Sequence, residues 1–287
     1  MGQDLYERFA AARAVFDRAE AARPGLTAVC FDGPAAELNR TINAQPGLFA
    51  VDLACARVLQ EAGVEPHGVA GFSLGEIAAA VVVGVMDETQ GLALVGHRAA
   101  AMQRCSDDHP GLMYAVVKLT ADQVDAIAAE VDGVWPVNYN CPGQVSVACV
   151  ESAGPVLEDI VRKAGGRALP LPVSGAFHSP LMDEAAESLA AYIRGLTFAA
   201  GTLPLYANVT GQVYGDPATL LAQQVNHPVR WSQTIEQMIA DGFDTFVEVG
   251  PGKTLSGFIG KIDAAVRVCS VHDAASLAEA KEWLAHV

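Results

Sequence analysis

The sequence contains no long apolar run. No stretch of about 18 uncharged apolar residues occurs, so a membrane-spanning helix is not expected. The first twenty residues, MGQDLYERFAAARAVFDRAE, have the spacing of a charged amphipathic helix and lack the apolar segment of a signal peptide. We therefore expect a cytoplasmic protein, and we expect it to be a monomer.

Basic residues are scarce. Lysine and arginine together number 18 against 33 aspartates and glutamates, which gives a formal net charge of −15. Non-specific nucleic-acid binding needs clustered lysine and arginine, so this class of function is disfavoured. An anionic substrate would have to meet a local cation, because the field of the whole protein repels it.

The six cysteines include no C-x-x-C pair and are spread through apolar segments. They are Cys30, Cys55, Cys105, Cys141, Cys149 and Cys269. This usage predicts buried free thiols and argues against a disulfide framework or a zinc site. We expect neither a metal nor a cofactor.

The length of 287 residues and the hydrophobic content of 51% suit one large α/β domain carrying a smaller insertion. Strand and helix patterns alternate over 1–111 and again over 180–287. Between them, residues 112–179 follow the order β-α-β-β-α-β, the split β-α-β unit. We interpret 112–179 as an inserted α+β subdomain with an antiparallel sheet.

The stretch VAGFSLGEIAAAV, residues 69–81, reads as a short buried strand, a tight turn and a helix of small residues. Gly71-Phe72-Ser73-Leu74-Gly75 within it fits G-x-S-x-G, the nucleophile elbow. Such a turn exposes the serine oxygen, and the N–H of Leu74 at the helix start could donate to an oxyanion. A chance match to so short a pattern is the alternative.

A nucleophilic serine needs a base, and His178 is the best placed of the seven histidines. It lies in VSGAFHSPLM, where the subdomain ends and a helix of the large domain begins. Such junctions often form pockets. The alternative is a histidine that only caps the helix.

Arg98 lies among apolar and small residues in LVGHRAAAMQ. If its side chain points inward, its planar guanidinium would pair with a carboxylate through two hydrogen bonds. In isolation, a side chain extending to water remains the alternative.

Six segments occur in one order: GFSLGE, HRAAAMQ, VNYNCPGQVSVA, LPLPVSGAFHSPLM, NHPVRW and EVGPGKTL. From Gly2 to about Val271, the chain resembles the malonyl-CoA:acyl-carrier-protein transacylase family, the acyltransferases of fatty-acid and polyketide synthesis. The resemblance implies a hydrolase-like α/β core with a mostly parallel sheet and an inserted ferredoxin-like subdomain.

The resemblance also implies roles for single residues. Ser73 corresponds to the nucleophile, His178 to the general base and later acid, and Arg98 to the residue that binds the malonyl carboxylate. Gln224 corresponds to a residue whose backbone carbonyl holds the histidine ring, and Gln45 to a glutamine near the pocket.

Phe177 corresponds to the bulky residue of malonyl-selective members, where it would crowd an α-methyl branch. The implied reaction transfers a malonyl group from coenzyme A to the phosphopantetheine thiol of acyl carrier protein, through an ester on the serine. The implied partners are therefore a coenzyme A thioester and acyl carrier protein.

Two departures from the family pattern stand out. Phe72 replaces the histidine that many members have before the nucleophile, which should be tolerated because that side chain is not the base. Family members also open with an apolar strand and a Gly-Gln-Gly turn, whose glutamine N–H is a second oxyanion donor. Met1-Gly2-Gln3 corresponds to residues after that turn, so the sequence as given implies a missing donor and an unpaired sheet position.

Two other functions remain open from the sequence. One is an acyl hydrolase with the same serine and histidine, for which Arg98 would have no use. The other is a carrier-protein-binding remnant with impaired catalysis. Because carrier proteins are usually acidic, docking would need a basic surface. The candidate groups are Arg162, Lys163 and Arg167, or Arg230, Lys253 and Lys261, and scattered solubilising charge is the alternative for each.

Overall fold

The computed structural model describes residues 1–286. Within this range the α-helices are α1 (Gln3–Arg8), α2 (Ala10–Ala22), α3 (Leu26–Asp32), α4 (Ala35–Leu38), α5 (Thr41–Glu61), α6 (Gly75–Val82), α7 (Glu88–Asp108), α8 (Ala121–Glu130), α9 (Gly154–Lys163), α10 (Asp183–Ile193), α11 (Pro217–Gln223), α12 (Trp231–Ala240), α13 (Thr254–Ile262) and α14 (Ala274–Leu284).

The strands of the same range are β1 (Val69–Ala70), β2 (Gly111–Val117), β3 (Val134–Cys141), β4 (Gln144–Val150), β5 (Arg167–Pro170), β6 (Leu205–Tyr206), β7 (Thr245–Val249) and β8 (Arg267–Val271). Short 3₁₀ turns cover Glu151–Ala153, Pro180–Met182 and Gln224–Asn226. None of the helices in the described range is both long and apolar enough to cross a membrane.

The large domain is an α/β structure whose strands pair in parallel. β1 pairs with β6, and β7 pairs with β8 in the register Thr245↔Arg267 to Val249↔Val271. Helices α5, α6 and α7 pack together beside them, and residues such as Phe49, Leu94 and Met102 form the main core. The mostly parallel α/β core expected from the sequence is confirmed.

The two strand pairs of the large domain are not joined into one sheet. Residues of β1 and β7 line the same cavity of about 1030 Å³. Parallel strands are normally buried on both faces. Here both residues of β1 and four of the five in β7 are only half-buried, because this cavity lies beside them. The short strand expected to be buried is therefore partly open.

The segment from Gly111 to Pro170 forms a four-stranded antiparallel sheet in the order β3-β4-β2-β5. Helix α8 connects β2 to β3, and α9 connects β4 to β5. Thr120 starts α8 with a capping box, since its side chain accepts from Gln123 N–H and Gln123 bonds back. The sheet and both helices enclose a separate apolar core, and this is the ferredoxin-like arrangement that the sequence predicts.

Backbone hydrogen bonds join the two parts next to the site. Tyr139 N–H donates to the Val229 carbonyl, and Val229 N–H donates to Val137, both at 2.9 Å. His178 N–H donates to the Val225 carbonyl at 3.0 Å. The segment that follows the small sheet is thereby fixed against the large domain.

The amphipathic helix expected at the start is two helices. Phe9 has an extended backbone, with φ −122° and ψ 127°, and it separates α1 from α2. The break lets Tyr6 contact Phe31 and Phe16 in an aromatic cluster. The apolar period alone does not reveal this break.

Candidate active site

The elbow places Ser73 between β1 and α6. Ser73 has φ 50°, in the left-handed region that non-glycine residues rarely adopt. A Cβ on Gly71 would lie 2.0 Å from the carbonyl carbon of Gly75, so only glycine fits where the strand turns into the helix. A Cβ on Gly75 would meet no atom within 4 Å. Steric crowding therefore requires glycine at position 71 but not at position 75.

Ser73 and His178 form a hydrogen-bonded pair. The distance from Ser73 Oγ to His178 Nε2 is 2.8 Å, and His178 Nδ1 lies 2.8 Å from the Gln224 carbonyl oxygen. Because a carbonyl only accepts, Nδ1 carries the proton and Nε2 is free to accept from the serine hydroxyl. His178 also has a positive φ, 63°, so backbone strain falls on both members of the pair.

His178 is in the form that a base needs. The ring is buried, and burial together with the nearby Arg98 charge lowers its pKa to about 4. The imidazole is therefore neutral at pH 7, with an unprotonated Nε2 facing Ser73. A backbone carbonyl orients the ring, in the role that a carboxylate has in serine–histidine–aspartate triads.

Arg98 points inward, and only 2% of it is exposed. Nη1 donates to Gln45 Oε1 at 2.6 Å, and Nη2 donates to Gln224 Oε1 at 2.8 Å and to Ser73 Oγ at 3.0 Å. Nε has no partner among the described residues. Burial lowers the pKa of Arg98 to about 10, which leaves it charged at pH 7. A buried cation with a free N–H donor thus lies beside the Ser73 hydroxyl.

Behind the pair lies a buried network that the sequence analysis missed. Glu76 accepts from Tyr214 Oη, from Gln224 Nε2 and, at 3.3 Å, from Asn208 N–H. Asn208 in turn accepts from Ser73 N–H at 2.6 Å and donates to the Gly71 carbonyl at 2.6 Å, which fixes the elbow. One signal was available, since Glu76 is the only charged residue of GEIAAAVV.

The other predicted residues lie around this centre. The Leu74 N–H has no acceptor in the described range and is available at the start of α6. Phe177 adjoins His178 and packs between two apolar clusters. Phe72 packs edge-on against Trp231, with ring centroids 5.5 Å apart. Among residues 1–286, no group of three or more His, Cys, Asp or Glu side chains could hold a metal ion, and all six cysteines are free.

A family model described as the acyl transferase domain matches residues 1–271. The chain belongs to this acyltransferase family. The acyltransferase is 34% identical over 282 residues to the malonyl CoA-acyl carrier protein transacylase of Bacillus subtilis strain 168, covering 95% of this chain and 89% of the relative.

Solved structures agree with this assignment. The acyltransferase matches the malonyl CoA-acyl carrier protein transacylase from Clostridium perfringens with a TM-score of 0.95 at 34% identity, over 100% of this chain and 93% of that one. It matches a malonyl-transacylase in complex with its type II PKS acyl-carrier protein with a TM-score of 0.94 at 36% identity, over 98% and 94%. The hydrolase-like fold is therefore established.

Proposed function

We propose that this acyltransferase moves a malonyl group from malonyl-CoA to the phosphopantetheine thiol of acyl carrier protein, through an ester on Ser73. The observation that carries the proposal is the buried Arg98 guanidinium, which lies 3.0 Å from the nucleophile oxygen. Its present partners are neutral oxygens, so an acyl carboxylate would be its first anionic hydrogen-bond partner. A hydrolase of neutral esters has no need for this cation.

In the first half-reaction, Ser73 Oγ attacks the thioester carbonyl carbon and its proton passes to His178 Nε2. The carbonyl oxygen becomes an oxyanion near the Leu74 N–H, at the positive end of α6. When the C–S bond breaks, the coenzyme A sulfur leaves and takes the proton from Nε2. Ser73 now carries the malonyl ester, with its carboxylate on Arg98.

In the second half-reaction, the thiol of the carrier's phosphopantetheine arm gives its proton to His178 Nε2 and attacks the ester carbonyl. The C–O bond to Ser73 breaks, and the serine oxygen recovers the proton. Phe177 is assigned the role of crowding an α-methyl branch beside His178, a discrimination of about 1–3 kcal/mol. No metal or cofactor enters either step.

Incubation of the protein with radiolabelled malonyl-CoA tests the proposal. We expect a base-labile ester on Ser73, which peptide mapping would locate, and loss of the label when phosphopantetheinylated carrier protein is added. Folded protein that takes no label, or that releases free malonate instead of passing it to the carrier, would refute the proposal.

Replacing Arg98 with alanine should reduce kcat/KM for malonyl-CoA by about 100-fold, because breaking a buried ion pair costs about 3–5 kcal/mol and part of this is recovered by relaxation. Acylation of Ser73 by p-nitrophenyl acetate, which has no carboxylate, should fall far less. Arg104→Ala is the matched control, since Arg104 is exposed on the same helix. Equal losses with both substrates would contradict the assigned role.

The proposed docking site for acyl carrier protein is the surface around Arg230 and Lys261. Arg230 follows Val229, whose carbonyl accepts from Tyr139 N–H on β3 at 2.9 Å, and Lys261 lies on α13, which packs against β3. Both cations therefore lie near the end of β3, beside the seam between the two parts of the molecule. Both are exposed, and neither forms an ion pair with another described residue.

In the alternative basic group, Arg162 and Lys163 both pair with Asp159, which offsets part of their charge. Reversing the charges with Arg230→Glu and Lys261→Glu should raise KM for the carrier about threefold to tenfold, most strongly at low salt. Malonylation of Ser73 should not change. The control is Arg162→Glu with Lys163→Glu, and an equal rise in its KM would contradict this docking surface.

A further inference from the structure

Glu76 is a buried carboxylate in the first turn of α6, and it is fully enclosed. Its two oxygens accept from Tyr214 Oη, Asn208 N–H and Gln224 Nε2. Three hydrogen-bond donors around one carboxylate stabilise its negative charge. The transfer steps described above do not use it.

The side chain of Gln224 connects Glu76 to Arg98. Because a carboxylate only accepts, Gln224 must turn its Nε2 toward Glu76, where this nitrogen also donates to the Ser73 carbonyl at 2.7 Å. Its Oε1 then faces Arg98 and accepts from Nη2 at 2.8 Å. Glu76 and the Ser73 carbonyl together fix the amide orientation that the guanidinium requires.

Glu76 also supplies the negative charge that the guanidinium lacks among its direct partners. Burial lowers the pKa of Arg98, and the Coulomb attraction of Glu76 opposes this. Burial raises the pKa of Glu76 to about 7, and the hydrogen bonds from Tyr214, Gln224 and Asn208, followed by the Arg98 charge, oppose this rise. The two charges therefore support each other across Gln224.

We propose that Glu76 is a positioning residue for the transfer reaction. Acting through Gln224, it aims Arg98 at Ser73 and at the acyl carboxylate, and so sets the preference for carboxylated acyl groups. This inference rests on the function proposed above. His178 is held by the backbone carbonyl of Gln224, and the elbow is held by the Asn208 side chain, so the main effect of losing the Glu76 charge falls on the guanidinium.

The Glu76→Gln variant tests whether Glu76 acts on the Arg98 guanidinium or on the serine–histidine pair. A glutamine at 76 can accept or donate, so the Gln224 amide can turn over and present its NH₂ to Arg98, which repels the guanidinium. We expect kcat/KM for malonyl-CoA to fall about 10- to 100-fold, the range of a lost hydrogen bond to a charged group. Acylation of Ser73 by p-nitrophenyl acetate should stay within about threefold of wild type.

Glu279→Gln is the matched control, since Glu279 is an exposed carboxylate on α14. Equal losses with both substrates, or no loss with either, would overturn the role of Glu76. If Glu76→Gln does not fold, Tyr214→Phe removes one donor from Glu76 and should produce the same selective loss at smaller size. A loss that is equal for both substrates in that variant overturns the proposal as well.

Wild-type protein assayed in parallel separates this proposal from the function on which it rests. If the wild type transfers malonyl groups and Glu76→Gln loses activity equally with both substrates, only the positioning role is rejected. Absence of malonyl transfer by the wild type rejects the proposed function itself.

Discussion

Replacing Ser73 with alanine should abolish the covalent intermediate and reduce malonyl transfer by about 10⁵- to 10⁶-fold, the loss measured when other hydrolase-type enzymes lose their nucleophile. His178 and Arg98 would remain, but they would have no oxygen to activate. Intact-protein mass spectrometry after mixing with malonyl-CoA measures the intermediate directly. A malonyl adduct on Ser73→Ala would place the nucleophile elsewhere.

The Ser73→Gly variant is a control that also tests backbone strain. With φ at 50°, Ser73 has a conformation that costs a non-glycine residue about 1–2 kcal/mol. Glycine adopts it freely, so Ser73→Gly should be as inactive as Ser73→Ala but unfold at a higher temperature. An equal or lower unfolding temperature for the glycine variant would show that the elbow stores no such strain.

The elbow could be predicted from sequence because its causes are local. Gly71 must be glycine where β1 turns into α6, and the small residues after Ser73 begin a helix that packs closely. The order of strands and helices in the small subdomain was predictable for the same reason. The capping box that starts α8 at Thr120, for example, is encoded within a few residues.

The partners of the site residues could not be predicted in this way. Gln224 contacts Arg98, His178 and Glu76 although it is 126, 46 and 148 residues from them in the chain. The periodicity of apolar residues along the chain does not predict contacts between residues so far apart. Gln45 and Gln224 were therefore identified from the resemblance to a family, and the structure supplies the hydrogen bonds by which they hold Arg98.

The degree of burial of the large-domain strands could also not be predicted from the sequence pattern. An apolar stretch before the elbow indicates a buried strand, but the exposure of Val69 and Ala70 depends on which strand lies next to them. In the structure a cavity occupies that side, and the residues are half-buried. Local sequence defines the strand, while its neighbours define how much of it is covered.

Replacing His178 with asparagine should reduce malonyl transfer by about 10³- to 10⁴-fold, the upper range for a lost general base. Asparagine is the appropriate variant because it tolerates a positive φ better than alanine does, and His178 has φ 63°. Its amide can still donate to the Gln224 carbonyl, so the fold is retained while the proton acceptor is lost. Near-wild-type transfer by a folded His178→Asn protein would contradict the role of base.

The pH dependence of the wild type gives an independent test of the same role. The neutral imidazole is the active form, and burial and Arg98 lower its pKa to about 4, so the base is lost only as the pH falls through about 4. Acylation of Ser73 by p-nitrophenyl acetate, which does not need the Glu76 and Arg98 charges, should therefore be flat between about pH 5.5 and 7.5, whereas an ordinary histidine would lose about tenfold at the acid end of this range. Arg98→Ala removes one cause of the shift, so its profile should begin to fall at higher pH. A wild-type midpoint near pH 6.5 would show that the His178 ring is solvated. A midpoint that is the same in Arg98→Ala would show that the guanidinium does not affect the pKa of the ring.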